Sequence, residues 1–157
     1  SYLWGHNKQL PIAVASNAAS NEIFYTSFEE TDGTADSDAK TGGKSRTSNY
    51  TVSFSLPNSK NYILSYWSWD GSKWVYNEAA YTGSTTITVA NKIDEVRVYP
   101  AAAQMVTFTY TPLLGMTSQC DARNQVSYYE YDALNRLKLI RDENRKIVKL
   151  FDYKYQQ

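Results

Sequence analysis

The sequence predicts an all-β protein, a β-sandwich followed by hairpins, and three observations predict it. Tyrosine and tryptophan are heavily used (14 and 4 residues of 157) and Ser and Thr are abundant, a mix that suits pleated, half-exposed strands and makes poor helices. Short alternating runs recur at regular intervals, joined by Gly, Asn and Asp turns, which is the pattern of a sandwich. From residue 110 onward a motif repeats about every 21 residues: Tyr110-Thr-Pro-Leu-Leu-Gly-Met116, then Tyr131-Asp132 with Leu137, then Tyr153-Lys-Tyr155. In that repeat Met116 takes the place of Leu137, and Asp121 that of Asp142. Such a period means stacked β units, none of which buries its own apolar face.

The elements follow in order. Tyr2-Leu-Trp4-Gly5 and Leu10-Pro-Ile-Ala-Val14 read as two short strands around a Gly5-His-Asn7 turn, with Pro11 pushing the second toward a sheet edge. Ser16 to Glu22 holds one helical turn at most. Ile23 to Phe28 is a strand, and Thr31 to Gly43 is a polar loop without periodicity. Tyr50 to Leu56 alternates, with Val52, Phe54 and Leu56 on one face. Tyr62 to Trp69 is a strand, Asp70-Gly71 a hairpin turn, and Lys73 to Tyr76 the return. Thr85 to Val89 and Ile93 to Tyr99 complete the sandwich, and Ala101 to Gln104 is the expected junction. Tyr129 to Tyr131, the reversal Asp132-Ala-Leu-Asn135 and Leu137 to Arg141 form a hairpin. The aromatic ladder of Tyr128, Tyr129, Tyr131, Phe151, Tyr153 and Tyr155 has a structural explanation, as cross-strand pairs of about 0.2–1 kcal/mol each.

Composition narrows the function classes. The net charge is zero, so no global field draws the chain to nucleic acid or an anionic membrane. No apolar run reaches membrane-spanning length, so no membrane insertion is expected. Cys120 is the only cysteine, which rules out an internal disulfide and a thiolate metal cluster. The abrupt start at Ser1-Tyr-Leu-Trp4 suggests a segment of a larger protein, and the surface-like composition favours a secreted one.

Catalytic machinery is hard to assemble. His6 sits in a turn with no nucleophile or orienting acid suggested by spacing. Cys120 has no visible activating base and reads as a small strand filler. Gly42-Gly-Lys-Ser45 resembles a phosphate loop, but Asp38 stands where that motif needs glycine, and no strand and helix flank it. Asn49-Tyr-Thr51 matches a glycosylation sequon, meaningful only in a eukaryotic secretory context. Glu29, Glu30, Asp32, Asp36 and Asp38 could in principle supply a glycosidase acid and base, yet most lie on or beside a polar loop.

The aromatics around Asp70-Gly71 are the most suggestive group. Trp67, Trp69, Trp74, Tyr76 and Tyr81 could stack on the apolar face of a pyranose ring while nearby polar side chains fix its hydroxyls. Alternation puts Trp67 and Trp69 on one face of their strand, with Leu64 and Tyr66 on the other. If Leu64 and Tyr66 point inward, the tryptophans form an exposed platform. The alternative is that these rings pack the core or cover the sheet against the repeat segment.

Two resemblances rest on particular residues. Residues 23–100 look like a reduced jelly-roll module of the carbohydrate-binding, galactose-binding-like type, through Ser27-Phe-Glu-Glu30, Thr41-Gly-Gly-Lys-Ser45 and Ile93-Asp-Glu-Val-Arg-Val-Tyr-Pro100. Residues 105–157 resemble the YD repeats of Rhs-family proteins, through Tyr131-Asp132 and Asn135-Arg136-Leu137, with Asn135 where the repeat usually has glycine. With Tyr2-Leu-Trp-Gly5, Leu10-Pro-Ile-Ala13 and Pro112-Leu-Leu-Gly-Met-Thr117, the whole resembles large Rhs-like surface proteins of Bacteroidetes bacteria.

These resemblances imply three parts: an N-terminal strand pair or repeat remnant (1–22), a jelly-roll-like β-sandwich (23–104) and YD-repeat-like hairpins (105–157). They imply a secreted or cell-surface location, and as partners a polysaccharide or glycan and the neighbouring repeat segments of the parent protein. A structural calcium joining the first strand to the last is common in sugar-binding jelly rolls, and the resemblance maps it to Glu29 and Asp94. An ion-free sandwich is the alternative. The implied function is a non-catalytic carbohydrate-binding module; the other reading is a structural or protein-interaction spacer.

Overall fold

A computed structural model describes residues 1–30 and 32–154, so the expectations at Thr31 and Tyr155 lie outside the described residues. The chain is all-β. Strands β1 (Tyr2–Gly5) and β2 (Leu10–Ser16) form a hairpin, and one 3-10 turn follows at Ser20–Glu22. Then come β3 (Phe24–Thr26), β4 (Thr34–Ala35), β5 (Lys44–Ser45) and β6 (Tyr50–Val52). The tryptophan hairpin is β7 (Tyr62–Trp69) and β8 (Trp74–Tyr81), followed by β9 (Thr85–Ile87) and β10 (Ile93–Pro100). Last is a meander of β11 (Gln104–Thr111), β12 (Gly115–Cys120), β13 (Val126–Tyr131), β14 (Leu137–Arg141) and β15 (Ile147–Leu150).

These strands make three layers. The central sheet has the order β3-β10-β7-β8, and β6 pairs with β9 as a separate ribbon. Between that ribbon and the central sheet lies the main core, built on Phe28, Val52, Leu64, Tyr81, Val96 and Val98. Phe54 and Leu56 pack into it although β6 ends at Val52, so the expected inward face holds beyond the strand itself. The third layer is a seven-stranded sheet in the order β1-β2-β11-β12-β13-β14-β15. Its small residues Ala13 and Ala15 and its Met105 meet Tyr25 and Tyr99 of the central sheet in a second core.

Two expectations need correction. Pro11 does not place β2 at an edge, because β2 lies between β1 and β11. The proline is accommodated because β11 pairs only with Ala13 to Ser16, and the register with β1 shifts at Trp4, opposite Pro11. The second concerns β7, expected to have one core face and one open face. As part of a middle layer it is covered on both, with Tyr62 and Leu64 buried on one side and Ser65 and Trp67 on the other. Strand β10 shows the same effect. Val96 and Val98 face the main core, and Asp94, Glu95 and Arg97 are buried too.

The meander explains the repeat physically. Its last three turns are alike. Asp121, Asp132 and Asp142 each accept two backbone N–H groups on Oδ1, from Arg123 and Gln125, Leu134 and Arg136, and Asn144 and Lys146. Asn124, Asn135 and Arg145 each take a positive φ of 59–64° at the fourth position, the left-handed residue of a bulged hairpin turn. The turns therefore recur at half the period visible in the sequence. The full period belongs to three tyrosines whose hydroxyls each donate to a main-chain carbonyl of a neighbouring strand. Tyr110 reaches Pro11 (2.9 Å), Tyr131 reaches Met116 (2.8 Å) and Tyr153 reaches Leu137 (2.7 Å). Met116 is paired in the ladder with Tyr110, and Leu137 with Tyr131, so pairings and hydroxyl ties alternate across the sheet.

Candidate functional site

The β7–β8 hairpin is built by eight cross-strand pairs, from Tyr62↔Tyr81 to Trp69↔Trp74. Its turn closes as expected at Asp70-Gly71: Asp70 Oδ1 accepts the N–H groups of Ser72 and Lys73, and Gly71 takes φ 105°. This register sets where each aromatic goes, and the five expected ligand residues divide.

Tyr81 is a core residue. It is buried and its hydroxyl donates to the carbonyls of Val52 (3.2 Å) and Phe54 (2.8 Å), which ties the central sheet to the β6 segment. Trp67 is only 8% exposed, with the Lys40 ammonium 3.6 Å from its ring centroid and Tyr76 edge-on at 5.4 Å. Neither ring forms part of a surface platform, because Tyr81 faces the main core and Trp67 is covered on the opposite face by Lys40 and Tyr76. Tyr76 is half-buried, and its hydroxyl donates to Glu78 (2.8 Å). Burial and that carboxylate raise its phenol well above the ordinary value.

Trp69 and Trp74 are half-buried and remain partly open. Their rings meet edge to face at 5.7 Å, so they form a corner rather than a coplanar shelf. The Trp74 indole N–H donates to the Asp38 carbonyl (2.9 Å), and Lys92, held by Asp36 at 2.6 Å, sits 5.1 and 5.3 Å from the two ring centroids. The two rings line one wall of a cleft of about 420 Å³. Its opposite side comes from the meander: Tyr128, Glu143, Asn144 and Arg145. Lys40 bridges the two sides, pairing with Glu143 at 3.0 Å, while Tyr128 donates to the Lys40 carbonyl (2.8 Å). The Arg145 guanidinium lies 3.5 Å from the Tyr128 ring centroid. The cleft therefore combines two indole faces with fixed donors and acceptors, the composition of a polar-ligand site. Asn144 and Arg145, which sequence reasoning passed over, reach it only because their turn faces the hairpin.

Glu29 and Asp94, expected from resemblance to hold calcium, flank one loop. Glu29 Oε1 accepts the N–H groups of Gly43 (3.0 Å) and Lys44 (2.8 Å). Asp94 Oδ2 accepts the Thr41 N–H (2.8 Å), and Oδ1 accepts the Glu95 N–H (2.6 Å). Burial, and after it the neighbouring Glu95 charge, pushes the Asp94 carboxyl well above the usual carboxylate range. Calcium requires six to eight oxygen ligands with lone pairs directed at the ion. Here the loop directs N–H protons at both carboxylates, and among the described residues no group of three or more His, Cys, Asp or Glu could hold a metal. This donor set does not suit calcium; backbone N–H groups occupy Glu29 Oε1 and both Asp94 oxygens instead. EDTA is accordingly expected to leave the melting temperature unchanged, and a drop that added calcium restores would overturn that account.

The buried group on this face of β10 was not anticipated as a unit. Glu95 Oε1 accepts from Arg97 Nη2 (2.7 Å), Arg97 Nε (3.1 Å) and the Thr107 hydroxyl; Glu95 Oε2 accepts from Tyr25 (2.8 Å) and Thr41 (3.0 Å). Arg97 also reaches Thr107 Oγ1 (2.7 Å), Asn124 Oδ1 (3.3 Å) and the carbonyls of Met105, Cys120 and Asp121 (3.3–3.4 Å). Burial pushes the Cys120 thiol up to about 12, so it is no thiolate nucleophile. Every partner here is structural, and the group joins the central sheet to the meander.

No family model matches the chain, and no curated protein or solved structure matches it either.

Proposed function

We propose that this chain is a non-catalytic glycan-binding module of a larger, Rhs-like secreted or cell-surface protein, and that the Trp69–Trp74 cleft is its contact surface. The observation that carries the reading is the juxtaposition of those two indoles with Lys40, Lys73, Glu143 and Arg145 around one cleft. Indole faces stack on sugar C–H faces while charged and amide groups take hydroxyl or carboxylate substituents. The steeply inclined rings, at 69° to each other, favour a chain end or a branched unit, which presents two faces, over a flat polysaccharide strand. The alternating tyrosine ties support the YD-repeat side of the reading.

Retention on an immobilised polysaccharide panel tests this. Trp69→Ala and Trp74→Ala are each expected to weaken binding about tenfold, ~1.4 kcal/mol, with the melting temperature little changed. No retention of the unmodified protein on any glycan would sink the proposal.

One observation favours the second reading, a structural or protein-interaction spacer. Strand β15 is the last of its sheet and exposes Ile147, Val148 and Leu150. An exposed apolar edge strand is a template for further pairing, and a neighbouring repeat segment of the parent protein would cover it.

A further inference from the structure

A second cavity, of about 280 Å³, shares no lining residue with the tryptophan cleft. It opens between the start of the seven-stranded sheet and the end of β3. Six aromatic side chains contribute to its lining, among them Trp4, Phe24, Tyr50 and Phe108, together with the carboxylates of Glu29 and Glu30. Trp4 is 53% exposed, although an indole is costly to leave in water. We propose that this cavity binds a small ligand carrying a primary ammonium on an apolar stem, a site independent of glycan binding at the cleft.

The charge arrangement selects that chemistry. Among the described residues the lining contains two carboxylates, the imidazole of His6 and no lysine or arginine. Lys44, the nearest candidate counter-ion, spends its ammonium on the main-chain carbonyl of Glu29 (2.8 Å) rather than on a carboxylate. Glu29 uses Oε1 for the Gly43 and Lys44 amides, and Glu30 uses Oε1 for the His6 amide (2.9 Å). Among the described residues, Oε2 of each has no hydrogen-bond partner. Glu29 is also partly desolvated, and burial raises its carboxyl above the ordinary value.

A partly desolvated carboxylate whose neighbouring ammonium binds a main-chain carbonyl instead gains from an entering cation, and aromatic walls add a cation–π contribution of about 0.5–2 kcal/mol. A neutral alcohol of the same shape would find the apolar wall but not the charge, and an anion would be repelled. The volume sits at the small end of ligand cavities, which limits the ligand to a short stem or a single ring. An alkyl diamine and an amino sugar both present this group.

Titration of the ¹⁵N-labelled protein separates these possibilities, with the Trp4 indole resonance as reporter. The probes are cadaverine against n-pentanol, and glucosamine against glucose. At least one amine is expected to shift Trp4 saturably and to bind about tenfold or more tighter than its neutral control. The tighter of the two amines identifies the source. Glu29→Gln keeps an acceptor for the loop amides, and Glu30→Gln changes an exposed side chain. Each is expected to weaken the amine about three- to tenfold, and Glu30→Gln serves alone if Glu29→Gln does not fold. Equal binding of amine and neutral control, a silent Trp4 resonance, or unchanged affinity in Glu30→Gln would overturn the proposal. None of these readouts involves Trp69 or Trp74, so failure here leaves the glycan reading to its own test.

Discussion

Arg97→Met is expected to lower folding stability by about 3–5 kcal/mol in urea unfolding. Arg97 is 2% exposed and balances Glu95, which is 1% exposed. Removing the guanidinium leaves the Glu95 carboxylate buried with only neutral donors, Tyr25, Thr41 and Thr107. It also releases the carbonyls of Met105, Cys120 and Asp121 on the meander side. Arg97→Lys keeps the charge but not the planar fork that reaches both sheets at once, so it is expected to fall between the two. A loss below about 1 kcal/mol for Arg97→Met would mean that water or a rotamer change replaces the pair, and that the two sheets are held by apolar contact alone.

The second large effect concerns Trp67. Trp67→Ala is expected to cost about 3–5 kcal/mol and to leave ligand affinity unchanged once folded protein is compared with folded protein. The indole fills the space between Lys40 and Tyr76, and Lys40 itself is 4% exposed. Truncation leaves a cavity and removes the ring beneath a buried ammonium. Trp67→Phe is expected to cost far less. Among the described residues the Trp67 indole N–H has no hydrogen-bond partner, so phenylalanine surrenders no hydrogen bond and retains most of the ring. Loss of binding without loss of stability in Trp67→Ala would return this residue to the ligand surface. Trp69→Ala should show the opposite pattern, so the pair of variants separates packing from recognition on one strand.

Much of the fold was legible. Alternation marked β7, β10 and the meander hairpins, and Asp70-Gly71 marked the tryptophan turn. Layering was not legible. A strand in a middle layer still alternates, so Asp94-Glu-Val-Arg97 reads as valines inward and charges in water. In fact Glu95 and Arg97 face a second sheet assembled from residues more than 80 positions apart, Ala13 and Thr107 among them, and Asp94 is buried against the Thr41 loop. The same effect turned Trp67 from platform to packing. Local turn chemistry could have shown the half-period, since Asp121, Asp132 and Asp142 are each followed three residues on by a left-handed residue. Arg145 hid the third case, because arginine rarely adopts that conformation. The cavity at Trp4 joins residues as far apart in the chain as Trp4 and Thr109, and no spacing within the sequence announces it.

The alternating tyrosine hydroxyls have a consequence for how the meander tolerates change. The last two ties measure off nearly equal lengths of chain, 15 residues from Met116 to Tyr131 and 16 from Leu137 to Tyr153, whereas Tyr110 and Pro11 lie 99 apart. Slipping one residue would carry the phenol to the wrong side of the pleat and leave the carbonyl unmatched. The ties thus work as a gauge of length rather than of chemistry. Within each unit side chains can vary while the ladder persists, but an inserted or deleted residue breaks the count.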